Sequence, residues 1–109
     1  MITVDCSISF DKQLKNIRDK NIDLIITDHH EPTKKLSHSI ATLNPKLMGS
    51  TYPNRELTGV GVAFKLVHAV LNALIEREIF TAHHIDLKQY LDLVALGTIQ
   101  LSSDVVLPP

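Results

Sequence analysis

The stretch Asp23-Leu24-Ile25-Ile26-Thr27-Asp28-His29-His30-Glu31-Pro32 decides how this chain folds. Its first half is apolar and β-branched from Leu24 to Thr27, with no alternation of polar residues. A strand of that kind is buried on both faces, as strands inside a parallel sheet are. Its second half is a run of ionisable groups closed by Pro32, which has no N–H to continue a ladder. An apolar strand that ends in ionisable groups puts them at the carboxyl edge of a sheet. In open α/β sheets that edge is where ligands bind.

Working outward, Ile2 to Asp5 is a second short apolar run and reads as a neighbouring strand. Between the two runs, Phe10, Leu14 and Ile17 recur at helical spacing among charges. They predict a helix over Asp11 to Lys20, with Ser9 or Asp11 as N-cap and Asn21 ending it. Strand, helix, strand within about thirty residues is a βαβ unit, which is right-handed. Towards the C-terminus, Glu31 to Ser39 is a polar loop, and Ile40 to Leu43 is a third short strand stopped by Asn44-Pro45. Lys46 to Glu56 holds Gly49 and Pro53 and reads as an irregular connection. Thr58 then caps a long helix whose apolar face is Ala63, Leu66, Val67, Val70, Leu71 and Leu74. A further helix is predicted over Leu87 to Leu96, with Gly97 near its end, and Val105 to Leu107 is a last apolar run. The fold expected is α/β, a mostly parallel sheet flanked by helices.

The 109 residues suit one domain or part of one, and an apolar share of 44% is enough to form a core. A net charge of −1 gives no overall basic field, so any contact with nucleic acid would need a local groove. The single cysteine, Cys6, allows no internal disulfide. The N-terminus does not read as a signal peptide and no apolar run reaches transmembrane length, so a cytoplasmic protein with no membrane partner is expected.

Two of the predicted strands end on an acid, Asp5 and Asp28, and side-by-side pairing would bring those ends together. His29 and His30 follow directly. Carboxylates with imidazole suit Mn²⁺ or Mg²⁺, the nitrogen favouring Mn²⁺. Such an ion polarises a phosphoryl oxygen and acidifies bound water. Each residue also has a plainer reading. A strand-end Asp often serves a cap or turn, and paired histidines on a loop are usually solvated, which is the reading given to His83-His84. Gly59 and Gly61, at a helix start, either let backbone amides approach a phosphate or let the helix pack closely on the sheet; the residues favour packing.

Taken together, Ile2-Thr3-Val4-Asp5-Cys6 and Asp23 through Pro32 resemble two successive motifs of the DHH phosphoesterase superfamily. Leu43-Asn44-Pro45-Lys46, Tyr52-Pro53, Leu57 through Lys65 and Asp92 through Ile99 resemble its RecJ-type members in order and spacing. The resemblance covers nearly the whole chain. It implies a 5′-to-3′ exonuclease acting on single-stranded DNA in recombination and repair, with two divalent metals, Mn²⁺ or Mg²⁺. By position, it makes Asp5 and His29 metal ligands, sets His30 towards the scissile phosphate, and has Asp28 orient the histidines. Asp104 is the candidate for a last metal-binding aspartate, and Asp92 is assigned a structural or supporting role.

Four departures accompany the resemblance. The family's opening Asp-x-Asp-Ala-Asp-Gly-type motif would lie before Asp5 and is absent. Ser7 stands where the family has Gly after Asp-Cys. Gln100 to Ser103 looks like a three-residue insertion ahead of Asp104. The family's second catalytic-core domain and its DNA-gripping OB-type domain would lie beyond Pro109. The expectation is therefore a partial DHH domain over 1–109, its C-terminal part, weakly active or inactive in isolation. The alternatives are a non-catalytic remnant, half of a split enzyme whose partner chain carries the missing acids, or another DHH hydrolase acting on short oligonucleotides or pyrophosphate. Leu57 to Lys65 and Asp92 to Ile99 speak against the last.

Overall fold

The computed structural model describes residues 1–6, 11–32, 39–81 and 85–102. The elements run β1 (Ile2–Thr3), α1 (Asp11–Asp19), β2 (Ile25–Thr27), β3 (Ala41–Leu43), α2 (Gly59–Glu76), a 3₁₀ turn (Leu87–Tyr90) and α3 (Leu91–Ser102). The three strands form one parallel sheet in the order β1-β2-β3, the α/β architecture expected. Ile25 lies opposite Ile2 on one side and Ala41 on the other, so β2 is the central strand.

The central position explains the uninterrupted apolar run. Leu24 and Ile26 are buried, with Leu14 of α1, and Ile17 packs against this cluster. Full burial of a Leu or Ile side chain contributes about 1.5–3 kcal/mol. Helix α1 ends as its sequence predicts. Asn21 takes the left-handed conformation at φ 52°, its N–H bonds to the Arg18 carbonyl, and the Ile22 N–H bonds to the Ile17 carbonyl. These two bonds satisfy carbonyls that the last helical turn leaves free. Ser9 and Phe10 lie outside the described residues.

Strand β1 is shorter than its apolar run. The chain turns out of the sheet after Thr3, with Val4 exposed and Asp5 at φ 56°. The Thr3 hydroxyl holds the bend by donating to the Cys6 carbonyl at 3.0 Å.

Helix α2 starts at its expected cap, the Thr58 hydroxyl accepting from the Gly61 N–H at 3.3 Å. Its apolar face departs from expectation. Gly59, Gly61 and Val62 are buried and Ala63, Leu66, Leu71 and Leu74 half-buried, but Val67 and Val70 are exposed. The reason is length: an 18-residue helix spans about 27 Å, and a three-residue strand about 10 Å. The helix thus runs past the sheet that would cover it. Its 18 residues, with a mean hydropathy of 1.4, meet the length and composition of a membrane-crossing helix, which corrects the expectation that no run would do so. Its first turn is nonetheless buried within the folded domain.

The last helix also differs from expectation. Leu87 to Tyr90 form a 3₁₀ turn, and α3 then passes through Gly97 to Ser102 rather than stopping there. A methyl group built on Gly97 would lie 2.6 Å from Val60 Cγ1 of α2, inside van der Waals contact. Gly97 is therefore a crossing point between two helices and not a helix stop. His83-His84 and Val105 to Leu107 lie outside the described residues.

Candidate metal centre

The site is built where β1 and β2 end. Thr27 is fully buried, and its hydroxyl donates to the Thr3 carbonyl at 2.7 Å, tying the two strand ends together. One residue further, the Asp28 N–H bonds to the Leu43 carbonyl at 3.0 Å. The β2–β3 ladder thus continues past Thr27 and fixes the Asp28 backbone.

Asp28 is 1% exposed. Its Oδ1 accepts from the His29 N–H at 2.8 Å, from the His30 N–H at 3.5 Å and from His30 Nδ1 at 2.6 Å. The carboxylate thereby caps the turn that follows the strand. Burial pushes the Asp28 carboxyl up, but the His30 ring bond, the two backbone N–H bonds and the His30 charge together outweigh it. The carboxyl is held below its usual value, so Asp28 is an anion at neutral pH. An anionic acceptor requires the proton on His30 Nδ1. His30 Nε2 is then the ring nitrogen available to a ligand, on a side chain that is 59% exposed. The Asn44 amide steadies the same residue, donating to the His30 carbonyl at 2.9 Å while its oxygen accepts from the Lys46 N–H at 2.9 Å.

His29 points the other way. Its side chain is largely buried, and Nε2 lies 2.9 Å from Asp5 Oδ1. The two stand at ion-pair distance, yet among the described residues Nε2 has no partner in hydrogen-bond geometry. Among the described residues, Asp28 Oδ2 is likewise buried without a hydrogen-bond partner. Two atoms that approach closely without bonding are arranged as two ligands of one cation would be.

Asp5, Asp28, His29 and His30 each offer one ligand atom, and these atoms lie within 4.8 Å of one another. Ligands on an octahedral ion at bonds of about 2.1 Å sit roughly 3–4.2 Å apart, so a small closing movement suffices. The donors are oxygen and nitrogen, with no thiolate, which suits a hard or borderline divalent ion. The buried atoms left without partners fit such an ion.

The structure thus brings together Asp5, Asp28, His29 and His30 of the expected site residues. Asp104 lies outside the described residues. Asp92 is on the first turn of α3, exposed, with its carboxylate accepting from the Leu93 N–H at 2.8 Å, and is not among the four. Gly59 and Gly61 are both closely packed, with Asp5 and Leu57 as their nearest neighbours. A methyl on Gly59 would lie 2.6 Å from Asp5 Cγ, and one on Gly61 2.6 Å from Leu57 Cδ1. Asn44, marked in the sequence as a strand stop ahead of Pro45, thus has the further role of steadying His30. Gly59, expected to pack on the sheet, has Asp5 as its nearest neighbour.

Comparison with known proteins shows the family. The DHH family, N-terminal domain, matches residues 1–98. The single-stranded-DNA-specific exonuclease RecJ of Bacillus subtilis is 44% identical over 99 residues, 91% of this chain and 11% of that protein. RecJ of Escherichia coli is 39% identical over 109 residues, 97% of this chain and 18% of that protein. A putative SPbeta prophage-derived single-strand DNA-specific exonuclease, YorK of Bacillus subtilis, is 30% identical over 104 residues, 95% of this chain and 16% of that protein. The chain spans 11% to 18% of the length of these relatives. No solved structure matches it. The chain belongs to the DHH family and resembles the RecJ-type exonucleases within it.

Proposed function

We propose that this chain carries part of the metal centre of a 5′-to-3′ single-stranded-DNA exonuclease that works in recombination and repair. The observation that carries the reading is the convergence of Asp5, Asp28, His29 and His30 at the carboxyl ends of two adjacent parallel strands, with two buried ligand atoms that have no hydrogen-bond partner among the described residues. Asp5 and His29 hold the ion, Mn²⁺ or Mg²⁺. Bound there, it polarises a phosphoryl oxygen and lowers the pKa of water. Asp28 keeps the His30 proton on Nδ1 and fixes the ring direction. His30 presents Nε2 to the scissile phosphate. Single-stranded DNA is the substrate because that is what the RecJ relatives are named for.

The chain alone is weakly active or inactive in this reading. Among the described residues, Asp5 and His29 are the two read as direct ligands, too few to hold two divalent ions even where water and substrate oxygens fill other positions. Asp104 and acidic residues outside this chain would supply the rest. The test incubates the purified chain with Mn²⁺ and 5′-labelled single-stranded DNA, beside a calorimetric Mn²⁺ titration. Saturable Mn²⁺ binding with little degradation is expected. Robust processive degradation would overturn the incomplete-site reading, and absence of Mn²⁺ binding would overturn the metal site itself.

A further inference from the structure

We propose that Gly59 is a positioning residue for the metal centre: its missing side chain lets the first turn of α2 press on Asp5 and hold that carboxylate against His29. The inference rests on the reading of Asp5 and His29 as metal ligands.

Gly59 is buried at the first position of α2, and its backbone is not in the left-handed region where glycine alone is comfortable. An L-residue could adopt that conformation, so the reason for glycine here is space. The three nearest atoms in that space all belong to Asp5. A methyl on Gly59 would fall 2.6 Å from Asp5 Cγ and 2.8 Å from Asp5 Cβ, with Asp5 Oδ1 nearer still. Carbon atoms pack at about 3.5–4 Å, so helix and carboxylate cannot both stay where they are.

Asp5 depends on that wall. It follows a two-residue strand, sits at φ 56°, and its side chain is 54% exposed. The wall itself is firm. Thr58 caps α2, Val60 packs into the gap left by Gly97 of α3, and the Thr58 and Thr98 hydroxyls meet at 3.4 Å. The position of α2, set by its packing on α3, is thereby passed to the Asp5 carboxylate through a contact in which glycine is the only side chain that fits.

Gly61→Ala is the matched control: its methyl would meet the flexible end of Leu57 and, at 3.3 Å, the Thr58 hydroxyl, with no Asp5 atom among its nearest contacts. The experiment compares Gly59→Ala, Gly61→Ala and Asp5→Ala by Mn²⁺ titration, by melting temperature without metal, and by the NMR shifts of the His29 ring nitrogens without metal. Gly59→Ala is expected to weaken Mn²⁺ binding by about 10- to 100-fold, the scale for residues that orient a ligand. It is also expected to move the His29 shifts, while Gly61→Ala does neither. Gly59→Ala with wild-type affinity and unmoved His29 shifts would overturn the proposal. If Asp5→Ala binds Mn²⁺ as the wild type does, the ligand reading of Asp5 fails, and the metal-free His29 shifts alone decide the positioning role. If Gly59→Ala does not fold, Asp5→Gly/Gly59→Ala should restore folding, since the new methyl then has room; failure to restore it would also overturn the proposal.

Discussion

His29 Nε2 and Asp5 Oδ1 stand 2.9 Å apart without a hydrogen bond between them, one from the end of β2 and the other from just past β1. The pair defines the centre of the site. Everything that fixes these two atoms, from the Thr27–Thr3 tie to the α2 wall, bears on whether an ion can be held there.

Thr27→Val should loosen the strand ends. It keeps the shape of a fully buried side chain but removes the donor to the Thr3 carbonyl. A loss of about 1 kcal/mol in urea unfolding is expected, with weaker Mn²⁺ binding. Thr27→Ser keeps the hydroxyl and should retain most of the Mn²⁺ affinity. Equal affinities for Val and wild type would show that the tie does not position Asp5.

Asn44→Ala should act on His30. It removes the donor to the His30 carbonyl and the acceptor for the Lys46 N–H. The expected cost is about 0.5–1.5 kcal/mol, together with altered ring shifts of His30. Unchanged His30 shifts would reduce Asn44 to a turn residue.

Gly97→Ala separates two roles by sign. At an ordinary helix position the change would stabilise by about 1 kcal/mol through propensity. Against Val60 it should instead destabilise by about 1–3 kcal/mol through overpacking. Adding Val60→Ala should recover part of the loss. A raised melting temperature for the single variant would contradict the close crossing of α2 and α3.

Asp28 predicts the acid limb of metal-free stability. Its folded pKa lies below the ordinary aspartate value of 3.8, so the unfolded chain binds this proton first as pH falls. The stability it contributes is complete above about pH 3.8 and is lost as pH drops through the lower folded value. Asp28→Asn carries no such group. Melting temperatures followed from neutral pH into this acid range should therefore fall more steeply for wild type than for Asp28→Asn. Parallel curves would contradict an anionic, hydrogen-bonded Asp28.

The sequence made the sheet legible because Leu24 to Thr27 lacks polar alternation, and a strand without alternation has to be central. The four-residue cluster was legible for a related reason: three of its members are consecutive, and strand pairing alone delivers the fourth, Asp5. What stayed hidden depends on tertiary approach. Val4 and Asp5 extend the apolar run of β1, but the left-handed turn at Asp5 takes them out of the sheet. Gly97 carries the same local signal whether it stops a helix or admits a neighbour, and only Val60 distinguishes the two. Val67 and Val70 fit the apolar stripe of α2, but sequence spacing does not reveal that the strands are too short to cover them. Gly59 and Asn44 touch the site from segments far along the chain, where no spacing rule reaches.

The central claim, that these strand ends hold a divalent ion through His29, is tested most directly by calorimetric Mn²⁺ titration of the wild-type chain against His29→Ala. The account predicts saturable binding by the wild type and at least about tenfold weaker binding by the variant. Equal affinities would remove His29 from the ligand set and contradict the account.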